Sequence, residues 1–451
     1  MASLIRFSQR SSISGAFPFG AEDDMKRSWT HLARVAAVGA VSLVMIAACS
    51  GRSTTGGSDS AGGQVTLKIN FWGDFGLQDL KAKYEAEHPN VKIQLNSGEY
   101  NAQHEDLQKK LVAGNGAPDI AAIDEGFMVQ FRSQSDKFVN LLDKGAGSYE
   151  SKYLPWKWKQ SLSADGKTQI GLGTDVGGLA MCYRTDLFKA AGLPTERDQV
   201  SALWPTWDKF IEVGQQYTAT TKKKFIDAGT NLFNPILGQQ PVGFYDEQDQ
   251  LRMEQGPKVA FDYTVKAVGA GLSANLVSFQ ADWDKGFTSG AFAVLACPAW
   301  MLGHIKDTAP GTEGKWDIAA VPGGGGNWGG SFLTLPKQGK NVDEAYKLLT
   351  WLVAPEQQIE IFKKVGNLPS QPALYTDPAI ADFKNPFFND APVGQIFPKM
   401  AQGLTPQYLG RKNGPTRVAV ENVIRRVENK SLKSDAAWSE AVKEAEKAAK
   451  S

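Results

Sequence analysis

Between Val65 and Ile123 the hydrophobic period switches back and forth, and that switching admits very few folds. Val65, Leu67, Ile69 and Phe71 alternate as one face of a strand. Residues 77–88 follow as a helix that Pro89 stops. Val91, Ile93 and Leu95 alternate again, and residues 103–113 place Leu107 and Leu111 on one helical face. Gly114, Gly116 and Pro118 break that helix before a short strand over 120–123. The order βαβαβ predicts an α/β fold whose sheet is parallel and covered by helices on both faces.

With 451 residues the chain exceeds one ordinary core and divides into two or three domains. The middle repeats the alternation, with helices expected over 207–217 and 256–270 and strands over 179–183, 291–295 and 316–321. The last third reads as helical over 342–353, 355–365, 418–429 and 436–449. No internal repeat is present.

The amino end is a targeting segment. Lys26, Arg27 and Arg34 form a basic region, and an apolar run spans 35–48. That run is shorter than the ~20 residues a membrane-spanning helix requires, so it reads as a signal sequence. It ends in Ile46-Ala47-Ala48-Cys49, similar to a lipobox, in which Cys49 is acylated and becomes the mature amino terminus. The start is expected at Met25, with residues 1–24 upstream of it. Residues 50–63, rich in Ser, Thr and Gly, read as a flexible tether. Cys182 and Cys297 remain, either bridged or two small buried hydrophobes.

Little in the chain suggests catalysis. His88, His104 and His304 lack metal-ligand spacing, and no Cys-x-x-Cys pair or Gly-x-Ser-x-Gly elbow occurs. The Gly323–Gly326 run lacks the Lys-Ser/Thr of a phosphate loop. No metal or cofactor is expected, and a net charge of +1 favours neither nucleic acid nor an anionic surface. A carboxylate pair for glycoside hydrolysis is formally available in Glu125 and Asp175, but with 48 Asp and Glu any pair is weak support.

Binding is better supported. Polar and aromatic groups gather at predicted strand ends, where open α/β sheets take ligands: Trp72, Asp74, Tyr100, Glu125, Asp175, Trp300 and Trp328. Trp and Tyr faces beside carboxylates suit sugars, whose C–H faces stack on rings and whose hydroxyls need polar partners. The rivals are a secreted glycosidase and a same-fold binder of a polyamine, iron or phosphate. The aromatic bias argues against an anion site.

Several stretches carry a resemblance. They are Gly116-Ala117-Pro118-Asp119-Ile120, residues 181–188 with Ala191-Gly192-Leu193-Pro194, residues 290–294 leading to Pro298-Ala299-Trp300, Gly329-Gly330-Ser331, Ala354-Pro355-Glu356-Gln357-Gln358 and Gly366-Asn367-Leu368-Pro369-Ser370. In order and spacing, residues 64–451 resemble the extracellular solute-binding proteins of sugar ABC importers, the maltose-binding-like group. Trp156-Lys157-Trp158-Lys159, residues 171–175, and Cys297–Trp300 with residues 326–331 look like cellobiose- and cello-oligosaccharide-binding lipoproteins of actinobacteria.

The resemblance implies two α/β lobes of the periplasmic-binding-protein type around a cleft, joined by three crossings. Residues 64–173 and 323–368 would form lobe one, and 174–322 and 369–451 lobe two. It makes Trp300 a sugar-stacking ring and Asp175 a hydroxyl ligand. Trp72, Asp74, Tyr100, Glu125, Trp283, Trp328, Gly329 and Gly330 complete the expected site, and the loops around Trp72 and Phe279–Trp283 would choose the sugar. It also makes the strands holding Cys182 and Cys297 neighbours. It implies a monomer on the outer face of the cell membrane, held by lipid alone, with ABC permease subunits as partners.

Overall fold

A computed structural model describes residues 63–404 and 406–450; the expected signal segment, Cys49 and nearly all of the tether lie outside them. The opening alternation folds as β1 (Val65–Trp72), helix Leu77–Glu87, β2 (Val91–Gly98), helix Tyr100–Ala113 and β3 (Ile120–Asp124). Leu67, Ile69 and Phe71 point into a core shared with Leu348 and Leu349 of helix Val342–Leu352. Helix Leu77–Glu87 ends before His88, because the residue preceding a proline disfavours the α conformation.

The remaining strands are β4 (Gly171–Gly173), β5 (Leu179–Arg184), β6 (Val294–Pro298), β7 (Trp316–Ala319) and β8 (Ser331–Thr334). One sheet runs β2-β1-β3-β8-β4, the other β6-β5-β7. The expected all-parallel sheet is corrected. β1 pairs in parallel with β2 and β3, but β8 pairs antiparallel with both β3 and β4. The second sheet is wholly antiparallel. β8 returns from the other sheet rather than through a βαβ crossover, so nothing forces it parallel. The strand expected over 291–295 sits at Val294–Pro298, because the Ala293 and Val294 amides donate to the Phe225 carbonyl.

Three segments run side by side between the sheets. Asp175 pairs with Pro369, and Gly178 with Asn327. The Trp328 amide donates to the Gly177 carbonyl at 2.8 Å, and that of Val176 to Leu368 at 3.0 Å. Cys182 on β5 and Cys297 on β6 form a disulfide with Cα atoms 5.5 Å apart.

Candidate ligand cleft

The cleft side chains stand where strands of the two sheets run into the crossings. β3 ends at Asp124, which caps helix Glu125–Arg132 by accepting the Gly126 amide at 2.8 Å. The same Oδ1 accepts the Tyr100 hydroxyl at 2.9 Å. Trp72, at the end of β1, meets the Tyr100 ring edge-on at 5.5 Å. From the other side Arg417, on helix Asn413–Glu428, faces Tyr100 and Asp124.

Trp300 follows β6 and Pro298, so a rigid strand sets its position. It is half-buried, lies 5.6 Å from the Trp328 ring at 70°, and donates its indole N–H to the Trp328 carbonyl at 3.3 Å. Gly329 passes between the two groups: a Cβ there would lie 3.5 Å from Asp124 Oδ2 and 3.8 Å from Trp300 Nε1. Rings and carboxylates from both sheets thus converge on residues 327–330.

Beneath them lies a buried group of charges. Lys157 is 0% exposed, with its ammonium 3.9 Å from the centre of the Phe332 ring. Glu125 is 8% exposed; it accepts from Asn327 Nδ2 and, at 3.4 Å, from Gln160 Nε2. Asp175 is 4% exposed and accepts the Ser331 amide at 2.9 Å and the Thr174 hydroxyl at 2.8 Å. Burial raises both carboxyls above the usual range, opposed by the nearby Lys157 charge. Burial likewise lowers Lys157. Gly330 closes this group at φ 129; a Cβ there would stand 2.8 Å from both the Asp175 carbonyl and Lys157 Nζ.

The structure therefore gathers Trp72, Tyr100, Glu125, Asp175, Trp300, Trp328, Gly329 and Gly330 of the expected set. Asp175 braces the first crossing through its bond to Ser331. Two residues fall elsewhere. Asp74 is exposed and spends its carboxylate on the Gly76 amide at 2.7 Å, an ordinary turn bond. Trp283 is fully buried, with its indole N–H donating to Asp227 at 2.8 Å. Its helix, Ala281–Ser289, turns Trp283 and Phe287 inward together, an i, i+4 signal visible in the sequence. Sequence reasoning did not single out Lys157, Arg417, Asn327 or Asp124 as members of the cleft. A cavity of about 550 Å³ lies away from this cluster, between helices Met301–Thr308 and Pro355–Val365.

Residues 76–359 match the bacterial extracellular solute-binding protein family. Over 338 residues the chain is 27% identical to an arabinooligosaccharide-binding protein of Bacillus subtilis (strain 168), covering 70% of this chain and 74% of that one. It is 26% identical over 304 residues to a lactose-binding protein of Rhizobium radiobacter, covering 64% and 69%. A solved extracellular solute-binding protein of family 1 superposes with TM-score 0.75 at 40% identity, covering 85% of this chain and all of that one. A binding protein associated with an ABC transporter of B. animalis subsp. lactis Bl-04, solved with β-1,6-galactobiose, superposes with TM-score 0.74. At 21% identity, over 85% of this chain and 97% of the other, that likeness speaks for the fold.

Proposed function

The chain belongs to the bacterial extracellular solute-binding proteins, and on that premise we propose that it captures an oligosaccharide between its two lobes and delivers it to an ABC importer. The carrying observation is the convergence of Trp300 and Trp328 with Tyr100, Trp72 and Asp124 around residues 327–330. Half-buried rings supply stacking faces, and the carboxylates and Arg417 supply directed hydrogen bonds to hydroxyls. Groups from both lobes meet there, so a ligand touching both favours the closed state over the open one.

Trp300 is the principal platform, with Trp72 and Trp328 beside it. Glu125 and Asp175 set the polar floor, held in place by Lys157 and Asn327. Residues 64–173 with 323–368 make one lobe, and 174–322 with 369–451 the other. The relatives named for arabino-oligosaccharide and lactose fit an oligosaccharide cargo, and the resemblance to cello-oligosaccharide binders makes that series the first to try. The protein acts as a monomer, anchored through acylated Cys49 to the outer face of the membrane, and hands its sugar to the permease subunits unaltered.

A thermal-shift screen against cello-, galacto-, arabino- and malto-oligosaccharides tests this, because a ligand that binds only the folded state raises the melting temperature. Mass spectrometry of the same mixtures must return each sugar intact. A panel without a single shift, or a cleaved sugar, contradicts the proposal.

A further inference from the structure

The segment of residues 273–280 joins helices Gly256–Gly269 and Ala281–Ser289. Two of its non-glycine residues lie in the left-handed region, Asn275 at φ 55 and Phe279 at φ 62. Asn tolerates that conformation, but for a bulky side chain it is strained and persists only where the surroundings impose it. Phe279 is also 53% exposed. A core would bury this ring, and a plain turn would use Gly or Asn here.

Asp227 imposes it. This carboxylate is 1% exposed and, among the described residues, has no Lys or Arg paired with it. It accepts from the Trp283 indole N–H at 2.8 Å and from Asn231 Nδ2. Both arms lead to Phe279. Asn231 Oδ1 accepts the Ser278 hydroxyl at 2.9 Å, fixing the preceding residue. The Trp283 ring lies 5.1 Å from the Phe279 ring. The backbone follows: the Leu276 amide donates to the Asp227 carbonyl at 3.1 Å and that of Ala274 to Ile226 at 2.9 Å. A buried carboxylate without a counter-ion is costly, so its retention points to something it holds in place.

What it holds is a ring beside the cleft. Phe279 lies 6.2 Å from Trp300 with 28° between their planes, so a second, exposed and nearly parallel ring stands next to Trp300. We propose that Phe279 is a second stacking platform that reads the length of the bound sugar, and that Asp227 is the positioning residue that aims it through Ser278 and Trp283. This rests on the oligosaccharide reading above. One pyranose covers Trp300 and a further ring of the same chain reaches Phe279, so the preferred ligand is longer than a disaccharide.

Calorimetric titration of the intact chain with cellobiose and cellotetraose tests the proposal, or with the di- and tetrasaccharide of the galacto-, arabino- or malto-series if one of those binds the wild type. Phe279→Ala should weaken the tetrasaccharide about tenfold and the disaccharide less than about twofold. Asp227→Asn should weaken the tetrasaccharide too, yet add nothing in a Phe279→Ala background. Ser278→Ala, which spares the core, should weaken the tetrasaccharide with little change in melting and serves if Asp227→Asn fails to fold. Equal losses for both sugars, no loss, or additive losses in the double variant would overturn the platform while leaving the oligosaccharide reading intact. A wild type that binds no sugar of any series overturns the reading and the platform together.

Discussion

The indole N–H of Trp300 donates to the backbone carbonyl of Trp328 at 3.3 Å, which ties a ring at the end of β6 to a crossing between the lobes. On the function proposed above, the stacking ring is thereby coupled to the segment that moves when the lobes open.

The buried charges should behave as a unit. Lys157→Met removes the charge that opposes the upward push of burial on Glu125 and Asp175, so both carboxyls should move further up and the chain should lose stability as pH rises above the usual carboxylate range. Adding Glu125→Gln should recover part of that loss, and urea denaturation of the two single variants and the double variant measures the coupling. Losses that simply add would show the two side chains to be independent.

Asp227 should give stability a pH slope. Burial pushes its carboxyl from 3.8 up to about 6. Between those values the folded chain keeps a proton that the unfolded chain has lost. Its contribution is therefore fully present below the lower value and falls away as pH rises through about 6, by roughly 3 kcal/mol in all. Asp227→Asn should flatten the melting profile between about pH 4 and 6; an unchanged slope would assign it to other groups.

The Cys182–Cys297 disulfide closes a loop of sequence separation 115. On the chain-entropy account it stabilises by about 4–5 kcal/mol, so Cys182→Ala with Cys297→Ala should lower the denaturation midpoint substantially. Thiol counting on the denatured, unreduced chain should find neither cysteine free.

Much of the first sheet was legible because its strands and helices differ in hydrophobic period, which survives in one dimension. The pairing of β8 with β3 was not, since it joins Ala121 to Thr334 across a chain excursion through the other lobe. The cleft was half legible. Trp300 follows a strand and a proline, and its exposure follows from that. Lys157, between two Trp residues, looks like a surface charge until Gly330 passes over it. Arg417, Glu421 and Arg425 stand four residues apart as a solvated helical stripe would, and only the partner face holding Tyr100 and Asp124 draws Arg417 into the cleft. Asp74 and Trp283 were misplaced for the converse reason: a turn bond and an inward helix face claimed them.

The most direct test is calorimetric titration of a folded Trp300→Ala variant beside the wild type, using the oligosaccharide that shifts melting most. Because the ring is only half-buried and makes one hydrogen bond, its removal should lower the melting temperature modestly without unfolding the chain. Lost stacking area of ~1–3 kcal/mol should raise the dissociation constant by roughly one to two decades. Unchanged affinity in the folded variant would contradict the account, because the sugar would then be bound without the ring around which the cleft is built.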